Sequence, residues 1–314
     1  MLKTSMVTAV ILAVSTGFAY AETKKEPTAN WSVTPFGEVR AFVEGSSADN
    51  VDLEAKSTDS KAGLKAKGDL GPLFVFGELS VDADINGDGN DDITSRFGYV
   101  GVGKDGLGAI SIGKQMSLQD KYIDKADIFM NGGNAGVQKM DFKQKNSVVY
   151  ENSIKGIKFG ALAAMTDDAG DNTLDRYQVA AEVAGVGVAI GKDNIADTRW
   201  LGVGASYKIQ KIGLYGSYTI KDAGSDNSIS DLIIWNSNDT TSVTRGMEVA
   251  ASYDLTKQLT VKAGYSDTDA SADDGTVAAG VEYAAFKNLV AFSTVDYDVD
   301  ASDYTARAGM SLKF

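Results

Sequence analysis

Asp84, Asn86, Asp88, Asn90 and Asp92 place oxygen donors at every second position of one short segment, with Gly89 among them. Alternate oxygen ligands and a turn-making glycine suit a hard cation, and the run follows the first nine positions of a calcium loop, D-x-N-x-D-G-x-x-D. The twelfth position is Ser95, where such loops carry a bidentate Glu, and no helical pattern flanks the run. The expectation is an acidic hairpin loop that binds Ca²⁺ weakly at best, in the millimolar range. No other cofactor is expected.

Cysteine and histidine, and the chemistry that depends on them, are missing. With no Cys and no His, a disulfide framework, a thiolate nucleophile, a zinc ribbon, a histidine-ligated metal and a Ser-His-Asp triad are all excluded, and no enzyme is expected. The 314 residues include 43 acidic against 30 basic side chains, a formal net charge of -13. A pI near 4.5 argues against nucleic acid as a partner, since phosphate contacts need clustered cations. Hydrophobic residues make up 43 %, too many for a disordered chain, yet mean hydropathy is only -0.14. Either the protein is soluble and acidic, or its apolar residues are hidden in alternation.

Residues 1–21 read as a secretory signal peptide. Lys3 supplies the positive start, Val7 to Val14 is an apolar stretch too short to span a bilayer, and Ala19-Tyr20-Ala21 is a small-x-small cleavage pattern. The mature chain then covers 22–314 and carries 43 acidic against 29 basic residues, a net charge of -14.

Past that point period two prevails. Ile157, Phe159, Ala161, Ala163 and Met165 share one parity, with Lys158 and Gly160 on the other; Tyr304, Ala306, Ala308, Met310, Leu312 and Phe314 do the same at the end. Such alternation predicts half-buried strands. Sixteen segments show it: 33–44, 58–69, 73–83, 95–104, 108–115, 146–152, 157–166, 175–184, 186–193, 198–209, 212–221, 244–254, 258–267, 275–285, 288–297 and 303–314. Tight turns such as Asp69 to Pro72 and Gln210 to Lys211 alternate with long polar loops such as Ser46 to Ser57 and Asp222 to Val243. That rhythm predicts an all-β, up-and-down antiparallel array. So many strands must close to remove their edges, and a barrel of that size holds water. A transmembrane β-barrel follows, with polar residues toward the lumen and small or apolar ones toward lipid. Tyr207, Tyr253, Tyr265, Tyr283 and Tyr304 sit near strand ends, as an aromatic girdle would. On this parity Arg40, Lys61, Lys65, Lys67 and Arg96 face the lumen, while Ala62, Leu64, Phe97 and Tyr99 face outward.

Several segments together resemble the Gram-negative general diffusion porins. They are Val33-Thr34-Pro35-Phe36-Gly37, Ser60 to Gly71, Ser95-Arg96-Phe97-Gly98-Tyr99-Val100-Gly101, Gly113-Lys114-Gln115, Asn146-Ser147-Val148-Val149-Tyr150 and the terminal Phe314. The resemblance implies a homotrimer of sixteen-stranded barrels in the outer membrane of a Gram-negative bacterium. Such a protein contacts lipid and lipopolysaccharide and passes ions and small hydrophilic solutes. It implies a long third loop, Ser117 to Lys143, folded into the lumen to form a constriction. It also implies that Phe314 is an assembly signal.

The resemblance places Lys61 and Arg96 on the wall of that constriction and acids on the loop. Here Met130 and Asn134 stand where the loop-tip acids would be, Asp120, Asp124 and Asp127 are the remaining loop acids, and Glu151 stands where relatives carry Arg. The acidic excess predicts a weak cation preference. The rival expectation is an outer-membrane anchor or adhesin whose loops bind a partner, with Leu232-Ile233-Ile234-Trp235 as the candidate surface.

Overall fold

The computed structural model describes residues 30–48, 53–84, 93–132, 141–165, 174–222, 243–268 and 275–314. The expected signal segment, Asn86, Asp88, Asn90 and Asp92 of the calcium-like run, Asn134 of the loop tip, and Leu232 to Trp235 lie outside them.

The alternating segments are strands. They are β1 (Asn30–Ser46), β2 (Glu54–Ser57), β3 (Lys61–Leu70), β4 (Leu73–Ala83), β5 (Ile93–Lys104) and β6 (Gly108–Met116). A short helix, α1 (Leu118–Tyr122), precedes β7 (Lys143–Ile154), β8 (Ile157–Ala164), β9 (Arg176–Val183), β10 (Val186–Asp193) and β11 (Thr198–Ile209). Then come β12 (Ile212–Asp222), β13 (Val243–Asp254), β14 (Leu259–Thr268), β15 (Thr276–Phe286), β16 (Leu289–Asp298) and β17 (Asp303–Lys313).

β1 pairs with both β2 and β3, every strand from β3 on pairs with its successor, and β17 pairs back onto β1, so the sheet is closed. β2 and β3 are one barrel strand interrupted at Thr58 to Ser60. Both pair with β1, with Ala41 opposite Ser57 and Glu38 opposite Lys61. Asp59, with φ 54°, carries the extra residue. Counted so, the barrel has sixteen strands, as the alternation predicts. At the seam the Gly37 N–H donates to the Phe314 carbonyl at 2.8 Å, and the Phe314 N–H returns to Gly37 at 3.0 Å.

The outer face is apolar. Leu64, Val179, Val203, Val249 and Met310 are exposed on it, and Leu79 and Val100 are each 67 % exposed. Hydrocarbon rather than water is the solvent such a surface needs. Outward aromatics gather at both rims. Trp31, Tyr207, Tyr253 and Tyr283 lie at the end with tight turns, and Tyr297 and Tyr304 lie at the end with long loops.

Two expectations about the inner face are corrected. Phe97 and Tyr99 point inward, opposite Ser80 and Glu78. The register steps between Ser80 and Val81, and Arg96 is the extra residue. That bulge flips the parity downstream, so Arg96 and Phe97 both face the lumen, and Gly98 and Val100 take the outer face. The inner wall of β8 to β11 is also small and apolar rather than polar. Leu162, Ala164, Ala180, Ala189 and Trp200 are buried there. Something other than water covers that stretch.

Candidate functional site

The cover is the connection between β6 and β7. Ser117 caps α1, its hydroxyl accepting the Asp120 N–H at 3.1 Å. The Gln178 side-chain carbonyl of β9 accepts the N–H groups of Leu118 at 2.7 Å and Gln119 at 3.3 Å. A wall side chain thus satisfies donors that a helix start leaves open. After α1 the loop tracks along the inner wall strand by strand. Leu118 packs on Gly160 of β8, the Tyr122 backbone on Gly187 of β10, and Ile123 on Gly202 and Gly204 of β11. The Ser217 hydroxyl of β12 donates to the Ile123 carbonyl at 2.8 Å and accepts the Lys125 N–H at 3.1 Å. The Phe129 ring lies on Gly264 of β14 and Gly280 of β15. Lys262 donates to the Ile128 carbonyl, and Arg40 of β1 to the Met130 carbonyl.

A Cβ on Gly187 or Gly204 would collide with loop backbone. The lumenal glycines are therefore a bed cut to the loop's shape. Leu118, Tyr122 and Ile123 form a hydrophobic core with Val149, Leu162, Ala164, Ala180, Ala189 and Trp200, inside the barrel. Full burial of side chains such as Leu118 and Ile123 contributes roughly 1.5–3 kcal/mol each. Ion pairs flank this core. Lys121 meets Glu151 at 2.5 Å, and Lys125 meets Glu182 at 2.6 Å, with Lys158 on the same carboxylate at 2.8 Å. The Tyr122 hydroxyl donates to Glu151 at 3.3 Å. Burial pushes the Tyr122 phenol upward, and the Glu151 charge adds to the shift.

The wall left facing the loop carries the predicted cations, now with partners. Arg40 is paired with Glu38 at 2.9 Å and Asp59 at 3.1 Å, and Lys61 with the other Glu38 oxygen at 3.1 Å. Lys65 is 3.7 Å from Glu78 and stacks over Phe36 at 4.9 Å. Arg96 bonds Asp82 at 2.6 Å and lies between Phe97 and Phe142, 5.2 Å from each ring centre. Among the described residues Lys67 alone of these cations has no carboxylate within ion-pair distance; its ammonium is 5.7 Å from the Phe74 ring centre.

Of the loop acids, Asp120 sits in the first turn of α1, Asp124 is half-buried and Asp127 is exposed. Glu151 is on the wall, tied to the loop through Lys121 and Tyr122 rather than standing alone. Among the described residues no cluster of acidic side chains could hold a metal ion. Sequence reasoning missed the loop's anchors on the far wall: Gln178, Ser217, Lys262 and the glycines. Gly160, Gly187, Gly202 and Gly204, all at lumenal parity, were the available signal.

Beneath α1, at the turn end, lies a cavity of about 530 Å³ bordered by Phe74, Lys121, Tyr122, Glu151 and Glu182.

Comparison with known proteins matches residues 7–299 to the sequence profile of Gram-negative porins. An anion-selective porin from Comamonas acidovorans is similar in structure, with TM-score 0.72 and 16 % identity over 91 % of this chain and 100 % of that one. The trimer form of the outer membrane protein OmpT of Vibrio cholerae gives TM-score 0.68 and 18 % identity over 90 % and 99 %. Salmonella typhi OmpF in complex with daunomycin gives TM-score 0.67 and 16 % identity over 90 % and 97 %. No curated protein matches the sequence.

Proposed function

The chain belongs to the Gram-negative porin family, and from that premise we propose that it is a passive diffusion channel for ions and small hydrophilic solutes, weakly cation-preferring and active as a homotrimer. Its place is the outer membrane. The observation that carries the reading is the loop bedded on the inner wall from β8 round to β1. A loop bedded on the inner wall of a closed barrel narrows a lumen too wide for side chains to fill, and a narrowed, water-filled lumen is what a sieve for small solutes requires.

The cation preference rests on charge. Most wall cations are matched by a carboxylate within 4 Å, so the lumen offers anions little uncompensated positive field. The excess of acid over base in the chain then biases the mouths toward cations, an effect that salt screens beyond roughly 8–10 Å. The trimer reading draws support from the solved trimer form of the similar Vibrio cholerae protein.

Purified protein added to a planar lipid bilayer should give stepwise conductance, with steps in groups of three. A KCl gradient should give a reversal potential on the cation side. Electrical silence across salts would remove the channel reading, and a clear anion preference would remove the charge argument.

A further inference from the structure

We propose that the turn-end half of the β3–β5 wall is a binding strip for aromatic carboxylates passing through the pore. The proposal deepens the channel reading and rests on it.

The strip begins with three inward aromatics on adjacent strands. Phe74 and Phe76 have ring centres 5.9 Å apart, and Phe76 and Tyr99 6.3 Å apart. Both phenylalanine rings are laid sideways across the neighbouring strand. The Phe76 ring covers Gly101 and the Phe74 ring covers Gly103, and a Cβ on either glycine would run into the ring. The rings therefore hug the wall and stay half-exposed. Lumenal residues of a channel that passes only small ions gain nothing from such a surface, because apolar area facing water is unfavourable. For a solute with a flat apolar face the same rings are a stacking platform.

The second component is charge. Lys67 lies opposite Phe76, is exposed, and has no carboxylate partner among the described residues. It departs in this from Lys61, Arg40 and Arg96, whose carboxylates already occupy them. An ammonium beside ring faces recognises a carboxylate attached to an aromatic ring: the ring stacks, and the charge is met by a charge-assisted hydrogen bond. Phe74 also borders the cavity of about 530 Å³ beneath α1, a volume within the range of small-molecule sites. Phe74 thus joins the strip to an open stretch of lumen whose carboxylates Glu151 and Glu182 are already paired with Lys121, Lys125 and Lys158.

The test uses the whole protein in planar bilayers, with benzoate, acetate and benzylammonium as probes in KCl. Benzoate should interrupt the current in a concentration-dependent way, while acetate and benzylammonium at equal concentration should not. Lys67→Gln and Phe74→Leu should each raise the half-blocking benzoate concentration about tenfold. Their KCl conductance reports that the barrel has folded, and the three probes on the unaltered protein need no variant at all. Benzoate blocking no better than acetate, or equally well in both variants, would overturn the strip. Absence of KCl steps in the unaltered protein would instead count against the channel reading, so the two failures are told apart.

Discussion

The backbone carbonyl of Ile123 occupies the space that a side chain on Gly204 would need. At this glycine, loop and wall meet main chain to main chain. Gly204→Val should therefore lift the loop from β11 at a cost of about 1–3 kcal/mol in its anchoring. The expected readout is a larger single-channel conductance and faster liposome swelling with larger sugars. Unchanged conductance in a folded variant would show that the loop does not set the bore.

Glu151→Arg should move the reversal potential in a KCl gradient toward anions. It replaces the carboxylate that Lys121 and Tyr122 share with a cation facing Lys121. Glu151→Gln should produce a smaller shift in the same direction, since it deletes charge without reversing it. An unmoved reversal potential in both would take Glu151 out of the constriction.

Alkaline pH should loosen the loop through Tyr122. Burial, reinforced by Glu151, raises this phenol above its ordinary value of 10.0. A group whose value is raised on folding keeps its full stabilising contribution below the unfolded value and loses it as pH rises through the folded one. Conductance should thus hold steady up to about pH 10 and change only beyond it. Tyr122→Phe should abolish that step, and its tyrosinate absorbance should lose one late-titrating phenol relative to the unaltered protein.

Removal of Phe314 should cut the yield of assembled barrels. Its backbone exchanges two hydrogen bonds with Gly37, and its ring covers that glycine. Phe314→Ala keeps the backbone bonds and loses the ring, so refolding into detergent should be only mildly slowed. Assembly in cells should fall further if the ring is also a recognition signal. Equal losses in both assays would assign Phe314 to closure alone.

Strand positions were legible because a barrel strand has two solvents, and the sequence writes both at period two. β10 and β11 run over the expected residues, 186–193 and 198–209. Parity was misread where an extra residue is inserted: the bulge at Arg96 turns Phe97 and Tyr99 inward, and nothing in the local composition marks it. The apolar inner face of β8 to β11 was missed for another reason. Alternation reports polarity, and Gly160 or Gly187 at a lumenal position reads as neutral until the loop that lies on it is seen. The cations Arg40, Lys61 and Arg96 could be named from the sequence, but their carboxylate partners are fixed by register across strands.

The seam between β1 and β17 has a consequence for timing. Ser311 bonds Glu38 at 2.8 Å across 273 positions of the chain, and β1 stays half-paired until β17 arrives. Contacts that distant in sequence form slowly, because the loop between them must be closed first. During that wait β1 is an open edge able to pair with any other strand. The length of that interval, more than the stability of the finished barrel, therefore sets the chain's exposure to aggregation.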